Sequence, residues 1–386
     1  MDGSDEAGVG GSEADHAFGE AVGRLGPRLL AGLDALEQSF RHLHPPAFPQ
    51  IRALLAPARD ALEAALEDFA GVAAPDALGD FRARLEQAAR LELEALACIV
   101  DSGPPSEGAA RALRAMHRHA RAQDVLYPLR HVLPPVSAWF AEPFRRADLA
   151  SLEAAGPRDA GDATSDAPPR VGLFRSSPSG EPGERGHFDL YVPESHDGRE
   201  PWPLVVALHG GSGNGSDFLW SWLREARSRR CLLLAPTSRG STWSLDAPGH
   251  DGEALARMVE WVAERWPVDR ERVLLTGLSD GATMTLLVGL GEGTPFTHLA
   301  PISGVLHPMN FAVGNVGRAA ERPIYLVHGA LDWMFPVSLA REAARVLEDA
   351  GAALVYREID DLSHTYPREE NARILEWLDP GRAVPG

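Results

Sequence analysis

Two patterns of apolar residues divide the chain. From about Ala14 to Leu152, Leu, Ala, Phe and Val recur at steps of three and four, with Pro or Gly between the runs, the spacing of amphipathic helices. Helices are predicted over residues 16–43, 50–70, 76–99 and 107–121, followed by an aromatic, Pro-rich stretch, VLYPLRHVLPPVSAWFAEPF. Pro45, Pro46, Pro57 and Pro75 interrupt the runs, which disfavours a coiled coil and favours a bundle packed on itself or on the C-terminal part of the chain. Residues 153–170, EAAGPRDAGDATSDAPPR, hold almost no large apolar side chain and read as a linker. After them, short Leu- or Val-rich runs alternate with amphipathic helices, the pattern of a mostly parallel sheet covered on both faces.

The strands are predicted at 171–174, 187–192, 204–208, 231–235, 273–276, 298–302, 324–328 and 354–358. Helices are expected near 217–229, 252–266, 282–290 and 337–350, with a terminal one over 368–378. The expected organisation is therefore a helical domain over 1–152, a linker over 153–170, and an α/β domain of about eight mostly parallel strands over 171–386. No repeat of fixed period is visible.

Charge and composition narrow the function. A formal net charge of −18 disfavours a nucleic-acid partner, since a phosphate backbone is bound through clustered basic side chains. All the Lys+Arg count is arginine, so neither a Schiff base nor a phosphate-loop lysine is available. No window has the roughly 18 uninterrupted apolar residues of a membrane span, and the acidic, Gly-rich start does not resemble a secretory signal. Cys98 and Cys231 are expected to be free thiols, and a cytoplasmic location fits.

The candidate chemistry lies at the ends of the predicted strands. RVLLTG runs into GLSDG, so Gly277, Ser279 and Gly281 form G-x-S-x-G between a strand and a helix. A serine hydroxyl attacks only when exposed and deprotonated in the act; a tight strand-to-helix turn exposes it and needs small flanking residues. Upstream, HGGSGNG follows the third strand, where glycine lets a backbone N–H face a developing oxyanion. The backbone amides of Gly211 and Asp280 are assigned to that hole.

A general base is expected after the last strand and an acid after the penultimate one. IDDLSHTYP supplies His364 and LVHGALDWMFP supplies Asp332. Asp360 and Asp361 are rivals for the acid, and His307, His328 and His250 for the base, with His328 read as structural. Trp243, His307 and Trp333, with Phe335 and Met309, are candidates to line a pocket, each against the alternative of core packing. In the helical part, His117 and His119 share no helix face, and His42 and His44 precede a Pro pair, so all four read as solvated rather than as metal ligands.

On LHGGSG, GLSDG, HGALDWMFP and LSHTYP, the chain from about Val171 onward resembles the phospholipase/carboxylesterase family of α/β-hydrolases, near the dienelactone-hydrolase and polyhydroxybutyrate-depolymerase-like esterases. The resemblance implies the α/β-hydrolase fold, a serine carboxylesterase working on a small ester through an acyl-enzyme, and no cofactor. Many relatives read G-x-S-Q-G-G at the nucleophile. Here Asp280 stands after Ser279, which leaves the backbone hole in place and disfavours anionic substrates. Serine in place of cysteine argues against dienelactone hydrolysis. The segment between the sixth and seventh strands is only about twenty residues, so any cap is small and the site is expected to be open. The same residues could cleave a thioester or a lysophospholipid, and a non-catalytic binding protein on this fold is the rival of a different class. The helical part could be a lid, a dimer interface or a partner-binding module.

Overall fold

A computed structural model describes residues 13–101, 108–153 and 171–382. These residues pack as two units, one within Met1–Ser39 and Pro49–Val136, the other within Phe40–Phe48 and Ser137–Gly386.

The first unit is built from α1 (Glu13–Arg41) up to Ser39, α2 (Phe48–Ala70) from Pro49 onward, α3 (Gly79–Val100) and α4 (Gly108–Leu126). The buried positions follow the helical period: Leu25, Leu29, Leu33 and Leu36 on α1, Leu55, Leu62 and Leu66 on α2, and Leu85, Ala88, Ala89 and Leu96 on α3. Pro27 and Pro57 lie inside α1 and α2, which continue through them. The solvated reading of His119 is corrected. It is buried, and its Nδ1 lies 3.0 Å from the carboxylate of fully buried Glu92, a pair that brings α3 and α4 together. His117 is exposed as expected.

The second unit contains an eight-stranded sheet in the order β1-β2-β4-β3-β5-β6-β7-β8. Its strands are β1 (Gly172–Arg175), β2 (Phe188–Val192), β3 (Trp202–Leu208), β4 (Leu232–Pro236), β5 (Val268–Leu278), β6 (His298–Ile302), β7 (Pro323–Gly329) and β8 (Ala353–Ile359). β1 and β2 pair antiparallel, as do β2 and β4, and every later pairing is parallel. All seven residues of β3 are buried, as a central parallel strand with both faces covered requires. β5 begins five residues earlier than its apolar run predicts, because Val268 pairs with Trp202 across a register shift and draws the charged Asp269–Glu271 stretch into the strand.

The helices that matter for the site are α5 (Leu223–Arg229), α6 (Gly249–Ala263), α7 (Asp280–Gly289), α8 (Val337–Asp349) and α9 (Glu370–Leu378). Leu255 and Val259 of α6, Met284 and Leu287 of α7, and Ala343 and Leu347 of α8 close the core over Leu204, Val206, Leu275 and Ile324. The antiparallel pair at one edge and the parallel run of β3 to β8, flanked by these helices, form the α/β-hydrolase architecture.

Residues 137–153 belong to the same unit as the sheet. The cause is Arg227 on α5, fully buried, which donates to the carbonyls of Ser137 (3.0 Å) and Phe140 (3.1 Å), to Ser137 Oγ, and to Glu153, and lies 3.7 Å from buried Glu194. Phe140 packs on Trp220, and Arg224 sits over the Trp139 ring at 4.0 Å. The expected linker, apart from Glu153, lies outside the described residues. Replacing Arg227 with Ala strips two carboxylates and two carbonyls of a shared buried cation. We expect a loss of about 3–5 kcal/mol in the unfolding free energy, measured by urea denaturation.

Candidate active site

The C-terminal ends of the parallel strands bring three distant side chains together. Ser279 follows β5 and caps α7 with φ 57° and ψ −117°, a backbone that L-residues adopt only under constraint. Gly277 and Gly281 explain how the turn closes. A methyl group on Gly277 would lie 2.5 Å from the Gly281 carbonyl carbon, and one on Gly281 would lie 2.4 Å from the Leu208 oxygen. The Ser279 amide donates to the Ile302 carbonyl at 3.0 Å, tying the turn to β6.

His364, five residues beyond β8, places Nε2 3.0 Å from Ser279 Oγ. Its Nδ1 lies 2.8 Å from Asp332 Oδ2. With Nδ1–H donating to the carboxylate, the Nε2 lone pair is left to accept the serine proton. Asp332 is itself fixed: its Oδ1 accepts the amides of Met334 (2.9 Å) and Phe335 (2.8 Å). Buried ionised carboxylates require such donors. Phe335 also sets its ring edge-on to His364, with centroids 5.3 Å apart.

The rivals fall elsewhere. Asp360 is exposed, and Asp361 pairs with Arg41. His328 is fully buried and donates from Nε2 to the Phe335 carbonyl at 2.8 Å, so it shapes the Asp332 loop from below. His250 is exposed on α6. His307 is partly buried, accepting from the Met309 amide and lying 3.9 Å from Asp246.

Gly211 follows β3 and faces the turn after Ser279: a methyl group there would lie 2.7 Å from Asp280 Oδ2. Asp280 opens α7, so its amide has no acceptor within the helix and points outward from the helix start. The Asp280 carboxylate turns toward Thr242, whose hydroxyl donates to it at 2.5 Å. The role of Thr242 is invisible in the sequence, since nothing in RGSTW distinguishes it from an ordinary turn residue.

Of the two readings the sequence leaves open for Trp243, pocket wall or core, its burial favours core packing. It is 4% exposed, belongs to the core, and its Nε1 donates to the His209 carbonyl at 2.8 Å. Trp333, by contrast, is 53% exposed beside Asp332. Between β6 and β7, residues 303–322 form a short helix, Met309–Ala312, and a turn, Val316–Arg318. They are pinned to α7 through Asn315 Nδ2, which donates to the Leu287 carbonyl at 2.8 Å. Among the described residues, no group of three or more His, Cys, Asp or Glu could hold a metal ion.

His209, first residue of the glycine loop, is a support. Its Nδ1–H donates to the Gly210 carbonyl at 2.7 Å, and its Nε2 accepts the Ser238 amide at 3.1 Å, which fixes a neutral tautomer. Burial pushes its pKa down to about 4. In the unfolded chain the ring protonates near 6.5, so between those values the unfolded state binds more protons and stability falls as pH drops. The loss is about 3 kcal/mol when complete. Urea midpoints measured from pH 7 to pH 4 should show this slope in the native chain and a shallower one in His209→Gln.

Comparisons with known proteins agree with the architecture. The profile of the Phospholipase/Carboxylesterase family matches residues 253–380, a stretch that carries Ser279, Asp332 and His364 and begins after the Gly211 loop. The chain is 23% identical over 124 residues to a probable feruloyl esterase C of Aspergillus niger, covering 30% of this chain and 46% of that protein. It is 36% identical over 93 residues to an oxidized polyvinyl alcohol hydrolase of a Sphingopyxis species, covering 24% of each. The acetyl xylan esterase from Aspergillus awamori superposes with a TM-score of 0.42 at 18% identity, over 55% of this chain and 99% of that one. The matched stretches span less than half the length of these two curated relatives. Over residues 253–380 the sheet-bearing part of the chain is thus similar to the phospholipase/carboxylesterase family, in keeping with its α/β-hydrolase architecture.

Proposed function

We propose that the chain is a serine carboxylesterase in which Ser279 is the nucleophile, His364 the general base and then acid, and Asp332 the residue that orients and charges the histidine. The observation that carries this reading is the continuous relay from Ser279 Oγ to His364 at 3.0 Å and from His364 to Asp332 at 2.8 Å.

The chemistry follows from the geometry. As Oγ attacks the ester carbon, its proton passes to Nε2 of His364, and the imidazolium is held against the Asp332 carboxylate. The carbonyl oxygen takes up negative charge between the amides of Gly211 and Asp280. His364 then protonates the departing alkoxide, leaving an acyl group on Ser279. Water, deprotonated by the same ring, releases the acid and restores the serine. No step calls for a cofactor.

The substrate class is a small neutral ester. The Asp280 carboxylate beside the Gly211 loop repels a second negative charge, and exposed Trp333 offers an apolar surface next to the acid loop. A cytoplasmic location belongs to the same reading, supported by Cys98 and Cys231 being free thiols. Among the described residues no helix is long and apolar enough to cross a membrane.

Two experiments test this. p-Nitrophenyl esters from acetate to palmitate should be hydrolysed by the native chain, with kcat lowered by about 10⁴-fold or more in Ser279→Ala and His364→Ala; a native chain inert on the whole series contradicts the proposal. Asp280→Asn should lower KM for a p-nitrophenyl ester carrying a free carboxylate by about fivefold relative to any change on the acetate ester, the effect of about 1 kcal/mol of relieved repulsion; equal changes on both esters contradict the charge argument.

A further inference from the structure

The loop that carries His364 is held on the far side of the triad by residues more than three hundred positions away in the sequence. Phe40–Phe48 packs in the hydrolase unit, and it reaches both neighbours of the histidine. Ser363 Oγ lies 3.3 Å from His44 Nδ1, and Thr365 Oγ1 donates to the Arg41 carbonyl at 3.2 Å. That carbonyl ends α1 and has no partner within its helix, so the Thr365 hydroxyl satisfies a helix terminus while the terminus fixes the loop.

The Arg41 side chain adds a second grip. Its Nη2 pairs with Asp361 at 2.9 Å and its Nε with Glu369 at 2.5 Å, one carboxylate on each side of His364. The Arg41 side chain is only 16% exposed, whereas those of Asp361 and Glu369 are 64% and 46% exposed. Isolated exposed pairs contribute little to global stability. Here two pairs and two hydroxyl contacts converge on one loop, and what they set is its position. On the other side His364 is held by Asp332 and by the Phe335 ring. His44, expected to be solvated, is instead part of this contact.

We propose that Arg41 and His44 form a clasp that positions the catalytic histidine, so that the end of α1 is needed for the full rate of the hydrolase unit. These are positioning residues; neither touches the reacting atoms. The inference rests on the reading of His364 as the general base. An imidazole displaced by about 1 Å from a serine hydroxyl loses up to about a hundredfold in rate with little change in substrate binding.

The test uses the full chain carrying Arg41→Ala, Arg41→Lys, His44→Ala or, as a control, Arg345→Ala, which removes an exposed pair on α8. Hydrogen exchange of peptides covering residues 360–367 reports the clasp without reference to activity. p-Nitrophenyl acetate hydrolysis reports its consequence. Arg41→Ala should speed exchange in that loop and lower kcat by about tenfold or more with KM within about twofold. Lysine, which cannot fork to two carboxylates, should restore part of the rate. Arg345→Ala should match the native chain. Unchanged exchange in Arg41→Ala overturns the clasp, and so does a rate loss that only tracks a smaller folded fraction at the assay temperature. A native chain without esterase activity counts against the catalytic reading instead, and the exchange data still decide the clasp.

Discussion

The site depends on one backbone turn. Ser279 sits at φ 57°, a conformation that costs a non-glycine residue about 1–3 kcal/mol, and the fold must hold it there. It does so by bringing β5 and α7 together so closely that no side chain fits at Gly277 or Gly281. The hydrogen bond from the Ser279 amide to Ile302 closes the turn against β6. Once the turn is made, the hydroxyl stands at the sheet's C-terminal edge. The start of α7 then presents the Asp280 amide beside it. The placement of the Ser279 hydroxyl and of the Asp280 amide therefore follows from the same close approach.

The second requirement is a charged carboxylate kept out of water. Asp332 is 6% exposed, and its two oxygens are occupied by the Met334 and Phe335 amides and by His364. Buried His328 reaches the same loop through the Phe335 carbonyl. The two amide bonds replace hydration at Oδ1, and Oδ2 faces His364 at 2.8 Å with His328 Nε2 3.5 Å away. The glycine loop is steadied in a parallel way. Neutral His209 bonds to Gly210 and Ser238, and Trp243 bonds to the His209 carbonyl.

The features legible in the sequence are those that depend on local pattern. The central strands appear as apolar runs because a parallel sheet covered on both faces buries nearly every residue there, as in β3 and β4. The residues of the relay are legible from small flanking residues and from their order after successive strands. Features set by distant pairings are not. The early start of β5 depends on Val268 meeting Trp202, and the attachment of residues 137–153 depends on Arg227, far along the chain. His44 and His119 each look like a solvated histidine until Ser363 and Glu92 are brought against them. For Trp243 the sequence leaves pocket wall and core packing level, because its motif says nothing about the His209 carbonyl it donates to.

The central claim is that Ser279 is activated by His364 for attack on a carbonyl. Stoichiometric treatment with a fluorophosphonate, followed by peptide mass spectrometry, tests it most directly, because the reagent needs an activated serine and no knowledge of the substrate. The predicted result is one adduct per chain, on Ser279, with labelling slowed by about a thousandfold or more in His364→Ala. An adduct on another serine, or labelling of Ser279 that is indifferent to His364, would contradict it.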